Sequence, residues 1–148
     1  MKPTDEQYRA YLAILHEELV PAMGCTEPIA VAYAAAKAAA VLGSQPDRVM
    51  IQASDNIIKN VKSVVVPNTG GLRGIAAAAA AGIVAGDADK SLEVIACVDA
   101  AGQKKIAAFL DSRTITVCKM DTSLIFDLAV TVYKDNSSAM VRISHFHS

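Results

Sequence analysis

The sequence predicts an α+β domain in which helices pack on a mainly antiparallel sheet. Three observations lead to this prediction. Alanine-rich segments with helical spacing dominate the first two-thirds of the chain, alternating apolar and polar residues dominate the last third, and 53% of the 148 residues are hydrophobic. A chain of this length buries about two-thirds of its unfolded surface when it folds. We therefore expect one domain over residues 1–148.

Helical spacing or a composition of small residues predicts five helical segments, at residues 5–20, 27–42, 54–60, 75–85 and 90–110. Pro21 should end the first of them. Thr26 is placed to cap the second helix and Gly43 to close it. Gly102 marks a point at which the last helix could break. The second helix is almost entirely alanine, valine and isoleucine, so it should be buried on most sides.

Alternating or β-branched residues predict five strands, at residues 48–53, 62–66, 114–119, 125–133 and 139–145. Residues 134–138 (KDNSS) should form a hairpin turn between the last two strands. One proline and three glycines in residues 67–74 (PNTGGLRG) predict a loop. Because most strands come after most helices, a mainly antiparallel sheet with helices on it is the expected arrangement.

Charge, hydropathy and cysteine content exclude several classes of function. A net charge of −1 offers no basic face to a nucleic-acid backbone, so we expect no nucleic-acid partner. No apolar run reaches the ~18 residues that span a bilayer, and the first residues lack the apolar segment of a signal peptide. We expect a cytoplasmic protein with no membrane partner. Three cysteines without a Cys-x-x-Cys spacing argue against a disulfide framework and against a complete metal motif.

The first candidate for chemistry is MGCTEP, residues 23–28, in which Cys25 lies at the predicted start of the second helix. The positive end of the helix dipole stabilises a thiolate, the form that attacks substrates and binds metal. A small buried cysteine is the alternative, and composition alone does not decide between the two. Glu27 in the first turn could transfer a proton or complement the dipole. Cys97 and Cys118 lie in apolar segments and are interpreted as packing residues.

The glycine-rich loop is the second candidate. Thr69, Gly70 and Gly71 come shortly before a predicted helix, and the backbone N–H groups at a helix start hold anions. Arg73 adds a positive charge. The spacing is not that of a nucleotide-binding P-loop, so a carboxylate is favoured over a triphosphate. A tight turn between a strand and a helix is the simpler interpretation of the spacing alone.

Two further pairs of polar residues have a spacing that would let them act together. Asn56 and Asn60 lie one helical turn apart and could cap a helix or face a ligand. His145 and His147, two residues apart at the end of the sequence, would share one face of a strand and could bind a metal. Histidines at the protein surface are the ordinary alternative.

Several motifs together resemble a known family. Residues 21–36 (PAMGCTEPIAVAYAAA) closely resemble the N-terminal signature of the L-cysteine desulfidase family, relatives of the iron–sulfur L-serine dehydratase alpha chain. The similarity continues through residues 54–71 (SDNIIKNVKSVVVPNTGG) and 74–95 (GIAAAAAAGIVAGDADKSLEVI). The final residues, VRISHFHS, resemble the strand that leads into the family's His-Thr-Asn-Ile motif, with His147 on the motif's histidine. The resemblance covers essentially the whole chain.

The resemblance implies a lyase with an oxygen-sensitive [4Fe–4S] cluster, in which three cysteines hold the cluster and one open iron acts as a Lewis acid. L-Cysteine would lose its α-proton and sulfide to give aminoacrylate, which decays to pyruvate and ammonia. Cys25 is implied as a cluster ligand. Glu27 is a candidate for proton transfer, with complementing the helix dipole as its alternative role, and the general base is not identified. The residues implied to contact the amino acid substrate are Thr26, Asn56, Asn60, Thr69, Gly70, Gly71 and His147.

Members of that family are much longer, and their other cluster ligands lie in the C-terminal part, where Cys97 and Cys118 have no match. The resemblance therefore implies that this chain is the N-terminal portion of a longer protein, inactive and without a bound cluster on its own. An L-serine deaminase, a non-enzymatic small-molecule-binding module and an enzyme using Cys25 as nucleophile with a histidine are the alternatives. A homo-oligomer is compatible with the sequence.

Overall fold

A computed structural model of the protein describes residues 10–15, 26–62, 64–66, 69–86, 95, 98–121 and 126–145. It confirms the α+β class. In chain order, the helices and strands are β1 (Ala10–Leu15), α1 (Thr26–Leu42), β2 (Arg48–Ala53), α2 (Asp55–Val61), α3 (Ile75–Ala85), α4 (Ala100–Ser112), β3 (Thr114–Lys119), β4 (Phe126–Lys134) and β5 (Ser137–His145).

The five strands form one mixed sheet in the order β1-β5-β4-β2-β3. Its three central strands are antiparallel, and the longest ladder joins β4 to β5 from Phe126↔His145 to Lys134↔Ser137. The two edge strands, β1 and β3, each join the sheet in parallel. The antiparallel pairs form the centre of the predicted mainly antiparallel sheet, and parallel pairs, which the sequence analysis did not predict, lie at its edges.

The hairpin between β4 and β5 turns at Asp135 and Asn136, within the predicted turn segment. Asp135 has a φ of 53°, in the left-handed region that aspartate tolerates better than most residues. A two-residue turn of this kind fixes the register of the whole hairpin. The apolar positions of both strands consequently fall on the same face.

One face of the sheet carries the core. Alternate residues of the three central strands are fully buried, namely Val49, Ile51, Ala53, Leu128, Val130, Val132, Ala139, Val141 and Ile143. Helix α1 packs on β4 and β5, and α3 packs against α1 and α4. Most of the side chains in α1 and α3 are alanines, so these helices approach each other closely. A Cβ atom built on Gly82 of α3 would lie only 2.0 Å from the carbonyl oxygen of Ala32 in α1.

Helix α1 ends as the sequence predicts. Gly43 has a φ of 84°, and its N–H donates to the carbonyl of Ala39 at 2.9 Å. A glycine in this conformation closes a helix without the steric cost that a side chain would bring. The bounds of β2, α3 and β3 also agree with the predicted segments at both ends.

The predicted helix at residues 5–20 is wrong where the structure describes it. Residues Ala10–Leu15 form a strand that pairs in parallel with β5, from Ala10↔Ser138 to Leu15↔Ile143. Apolar residues spaced for a helix face also occur in a strand, and pairing with β5 satisfies backbone groups that would otherwise leave β5 at an open edge. This long-range pairing outweighs the local helical preference.

The predicted strand at residues 62–66 is also wrong. Helix α2 continues to Val61, and its last turn is closed by Lys62, whose N–H donates to the carbonyl of Ile58. After the helix, Val65 pairs with Arg73 of the glycine-rich loop in a single isolated β-bridge. The β-branched residues therefore hold a loop together rather than joining the sheet.

The predicted helix at residues 90–110 begins later than expected. Ile95, Val98 and Asp99 are described and are not helical, and α4 starts at Ala100. The carboxylate of Asp99 accepts a hydrogen bond from the N–H of Gly102 at 2.8 Å, which is a typical N-cap. Gly102 thus lies in the first turn of the helix instead of breaking it. Residues 90–94 lie outside the described residues.

Candidate functional site

Four of the five strands point in the same direction. Strands β1 and β5 are parallel, β2 and β3 are parallel, and β4 runs antiparallel to both β5 and β2. The carboxyl ends of β1, β2, β3 and β5 therefore share one edge of the sheet, called the carboxyl edge below, and the opposite edge is the amino edge. In open sheets with parallel strands, ligands bind outside the carboxyl ends.

Two helices begin at the carboxyl edge. Helix α2 starts at Asp55, two residues after the end of β2. Helix α1 ends at Leu42, shortly before β2 begins at the amino edge, so its start at Thr26 lies toward the carboxyl edge. The N–H groups in the first turn of a helix have no partner within the helix, and they carry partial positive charge.

Several predicted site residues lie on chain segments that reach this edge. Thr26 and Glu27 are the first two residues of α1, and Asn56 is an exposed residue in the first turn of α2. Cys25 directly precedes α1 in the sequence, and His147 follows the end of β5 by two residues. Cys25 and His147 lie outside the described residues, as do the side chains of Thr26 and Glu27. Their predicted contacts with metal or substrate stay predictions.

Asn56 and Asn60 are both exposed on α2, one turn apart as the sequence predicts. The opposite side of this short helix is buried through Ile57 and Val61. The two amides therefore face away from the core, where a ligand could reach them.

The glycine-rich loop is held by the side chain of Thr69. This side chain is only 3% exposed, and its hydroxyl donates to the carbonyl of Val66 at 2.8 Å and accepts from the N–H of Leu72 at 3.1 Å. The backbone N–H of Val66 also donates to the carbonyl of Leu72 at 2.8 Å. The hydroxyl of Thr69 thus acts on the loop itself, and its predicted contact with substrate remains untested.

The exposed tip of the loop consists of Gly70 and Gly71. Both have positive φ angles, 77° and 98°. A Cβ atom on Gly70 would lie 3.2 Å from Oε1 of Gln103, so the loop tip is placed against the first turns of α4. The loop then leads to α3, whose N-cap residue, Gly74, has no side chain to cap the helix. A ligand at this point would meet backbone N–H groups rather than side chains.

The structure adds one ion pair that the sequence analysis missed. The carboxylate of Asp127 is completely buried and accepts two hydrogen bonds from Arg142, from Nε at 2.9 Å and from Nη2 at 2.6 Å. The backbone N–H of Ser54 donates to the carbonyl of Asp127 at 2.8 Å. The pair therefore ties β4 and β5 to the residue that precedes α2, near the carboxyl edge.

The bidentate hydrogen bond with Asp127 raises the pKa of Arg142, so the guanidinium is charged at every pH that the protein experiences. A sequence signal existed for this pair. Once the turn at Asp135 sets the register of the hairpin, Asp127 and Arg142 fall on the same face of neighbouring strands, at diagonal positions.

The described residues do not by themselves fit a [4Fe–4S] cluster, which needs three thiolate ligands. Within the described ranges, Cys118 is the one cysteine, half-buried on the edge strand β3. No group of three histidine, cysteine, aspartate or glutamate side chains that could hold a metal occurs there. Cys25 and Cys97 lie outside these ranges. No helix in the described part of the chain has the length and apolar character needed to cross a bilayer.

Comparison with known proteins gives relatives over the whole chain. The sequence is 54% identical over 148 residues to a UPF0597 protein of Desulfitobacterium hafniense, 42% identical over 142 residues to one of Treponema denticola, and 43% identical over 148 residues to one of Shewanella baltica. No family model and no solved structure matches the chain.

The aligned region includes all or nearly all of this chain but only 33–34% of the length of each relative. Identity of 42–54% over all or nearly all of this chain, in three genera, reflects common ancestry. The chain is therefore a homologue of the UPF0597 proteins and spans about a third of their length.

Proposed function

We propose that this chain is part of a [4Fe–4S]-dependent β-eliminating lyase that degrades L-cysteine to pyruvate, ammonia and sulfide. The proposal rests on the resemblance of residues 21–36, 54–71 and 74–95 to the L-cysteine desulfidase family. The length of the UPF0597 relatives supports it, because two-thirds of such a protein would be available to supply further ligands.

One structural observation carries the proposal. Helix α1 begins at Thr26, the residue directly after Cys25, and it begins toward the carboxyl edge of the sheet. A thiolate next to a helix start is stabilised by the helix dipole, and the carboxyl edge is where sheets of this kind bind ligands. Asn56 and the end of β5, which precedes His147, reach the same edge.

The residues of this chain would act mainly by binding and orienting the amino acid. The amides of Asn56 and Asn60 offer donors and acceptors on the exposed side of α2. The backbone N–H groups at Gly70, Gly71 and the start of α3 suit a carboxylate, with Thr69 holding the loop in shape. Glu27 is the candidate for moving the α-proton.

The reaction balances without an external oxidant or reductant. The Cα–H bond breaks and its electron pair forms the Cα–Cβ double bond of aminoacrylate while the Cβ–S bond breaks and sulfide leaves. Water then hydrolyses the imine tautomer of aminoacrylate to pyruvate and ammonia. L-Serine would follow the same route with hydroxide as the leaving group, and a dehydratase of this kind is the alternative within the same class.

The test compares the chain alone with the chain inside a full-length protein. For the full-length form, this sequence replaces the matching third of the Desulfitobacterium hafniense relative. Both are reconstituted anaerobically with iron and sulfide, and sulfide and pyruvate release from L-cysteine are measured. We expect release from the chimera, none from Cys25→Ala in the chimera, and neither activity nor a stable cluster from the chain alone.

Other outcomes point to other functions. A chimera that carries iron but releases pyruvate only from L-serine supports the dehydratase. A full cluster on the isolated chain contradicts the proposal that further ligands are needed. A protein that binds an amino acid without iron, and equally well after Cys25→Ser, is a binding module and not this lyase.

A further inference from the structure

A cleft of about 390 Å³ opens at the amino edge of the sheet, away from the candidate site. Gln45, which lines it, precedes β2 by three residues, and Arg113 directly precedes β3. Strands β2 and β3 are each six residues long, so the amino and carboxyl edges of the sheet lie roughly 20 Å apart at these strands. The cleft is therefore a different place from the carboxyl edge.

Among the residues that the structure describes, the lining of the cleft carries two positive charges, Lys105 and Arg113, and no aspartate or glutamate. Lys105 is exposed and makes no ion pair or hydrogen bond with the described residues. Asp47, next to the Pro46 that Arg113 contacts, is bound to Lys134 at 3.3 Å, and Asp111 does not line the cleft. Neither cation has a counterion among the described residues.

The side chain of Arg113 is held in place by contacts with the protein, and one of its nitrogen atoms remains available for a ligand. Its Nε donates to the carbonyl of Pro46 at 3.3 Å, its Nη1 donates to the hydroxyl of Ser112 at 3.1 Å, and its Cζ lies 5.7 Å from the centre of the Phe109 ring. Nη2 makes no hydrogen bond to the described residues. A fixed guanidinium with unused donors binds an anion at a low cost in side-chain entropy.

The rest of the lining is apolar. Val84 of α3 and Ala108 and Phe109 of α4 contribute hydrophobic surface next to the two cations. The volume is at the small end of the range for ligand sites, about 300–1,000 Å³. Apolar walls with a few convergent polar groups are the usual composition of such sites.

From these observations we propose that the cleft binds a small organic anion, with an apolar group against Val84, Ala108 and Phe109 and a carboxylate or phosphate against Lys105 and Arg113. Within the described residues, the carboxyl end of α4 lies beside the cleft and carries about half a negative charge, which opposes an anion. Two full positive charges outweigh it. This site is independent of the proposed lyase activity.

The test is a titration of the 148-residue chain with two anions that share an apolar body, phenyl phosphate and phenylacetate, followed by two-dimensional NMR. Benzyl alcohol serves as the neutral analogue. We expect saturable binding of at least one anion and none of the alcohol, and the tighter of the two anions identifies the acid group. Lys105→Gln should weaken binding about three- to tenfold, because one of two charge contacts is lost.

Two matched controls make the result specific. Lys104 is the neighbouring exposed lysine of α4 and does not line the cleft, so Lys104→Gln should leave the affinity unchanged within about twofold. Ala108→Leu should fill the cleft and abolish binding, whereas Ala107→Leu, at an exposed position outside the lining, should not. Both leucine variants are compatible with a helix, so the fold should persist.

Equal weakening by Lys104→Gln and Lys105→Gln would overturn the proposal, because it would mean a non-specific charge effect. Binding of benzyl alcohol as tightly as the anions would overturn the anion class. Absence of saturable binding by either anion, in a chain whose NMR spectrum shows it to be folded, would overturn the site itself.

Discussion

The contact between α1 and α3 predicts that Gly82→Ala severely destabilises the protein. An alanine Cβ at this position would lie 2.0 Å from the carbonyl oxygen of Ala32, and 2.7 and 2.9 Å from its C and Cα atoms. Ordinary contact begins at 3.4 Å, so the closest approach is short by about 1.4 Å. All three of these atoms belong to the backbone of α1, so no side-chain rotation can relieve the overlap.

The magnitude follows from the separation that the helices would need. Overpacked cores cost about 1–3 kcal/mol, and the cost lies at the top of that range or above when only backbone can move. A gap of 0.5–1 Å already removes roughly a quarter to a half of the dispersion energy between the neighbouring alanines. The higher helix propensity of alanine offsets about 1 kcal/mol of this cost. We expect a net loss of about 3 kcal/mol, out of a total of roughly 5–15 kcal/mol.

The assay is urea unfolding of Gly82→Ala and Gly102→Ala, with thermal melting as a second measurement. For a chain of this size, a loss of 3 kcal/mol lowers Tm by roughly 6–12 °C. Gly102 is the matched control, because a Cβ there would meet only side-chain atoms, at 3.1 Å from Val98, 3.3 Å from Asp99 and 3.5 Å from Ala85. Its expected change is within about 1 kcal/mol. A change of under about 1 kcal/mol in Gly82→Ala, or equal changes in both variants, would refute the close approach of α1 and α3.

Three further predictions concern polar contacts. Arg142→Met leaves the buried carboxylate of Asp127 without its guanidinium partner. Urea unfolding should show that the free energy of unfolding falls by about 3 kcal/mol. This value is near the lower limit for breaking a buried pair, because the Arg142 side chain is itself 39% exposed. Thr69→Val removes the hydroxyl that holds the glycine-rich loop and should cost about 1–3 kcal/mol, whereas Thr69→Ser should recover most of it. The hydrogen bond from Lys59 holds the pKa of Asp55 below its ordinary value of 3.8. The pair therefore stabilises the fold at pH values above 3.8, and this stabilisation is lost as the pH falls through the lowered pKa. Asp55→Asn should remove that part of the acid dependence measured by unfolding between about pH 2 and 5.

Each of these predictions has a contrary outcome. Arg48→Met is the control for Arg142, since Arg48 is exposed and stacks on Tyr133 at 4.0 Å, worth about 0.5–1 kcal/mol. Equal losses in both arginine variants would mean that the Asp127 pair contributes no more than a surface contact. Equal losses in the valine and serine variants of Thr69 would exclude the hydroxyl as the cause. An unchanged acid profile in Asp55→Asn would show that its contact with Lys59 is not formed in solution.

The sequence predicts correctly those elements whose cause is local. Buried residues alternate with less buried ones along β2, and β3 is rich in β-branched residues. Helix α3 is built from small residues between glycines, and the hairpin turn has the composition of a turn. In each case the residues that decide the structure lie within the element or next to it. The start of α1 beside Cys25 belongs to the same group, because proline in the first turn and glycine after the last turn mark both ends.

The errors come from contacts between distant residues. Residues 10–15 have apolar spacing that fits a helix, and only the presence of β5, more than 120 residues later, makes them a strand. Residues 62–66 include three valines, but Val65 pairs only with Arg73 in a single isolated bridge and closes a loop. The late start of α4 is different, since Asp99 is a local cap signal that a closer reading of the sequence could have used.

The candidate site could be predicted only in part. The residue types and their spacing indicate Cys25, Asn56 and the glycine-rich loop, but spacing carries no information on which segments meet. The shared carboxyl edge emerges from the strand directions, which depend on the whole sheet. The cleft beside Lys105 and Arg113 has no sequence signal at all, because its walls come from α3, α4 and the turn before β2.

The parallel pairing of β1 with β5 has a consequence for how the chain folds during synthesis. Of the described strands, β1 is synthesised first and β5 last, and the two lie side by side. The sheet therefore cannot be completed until residues 137–145 have left the ribosome. Until then Ala10–Leu15 is an unpaired apolar segment, and such segments promote aggregation. Pairing over so long a distance in the chain also slows folding. Ala10–Leu15 should therefore need protection from aggregation until residues 137–145 have emerged.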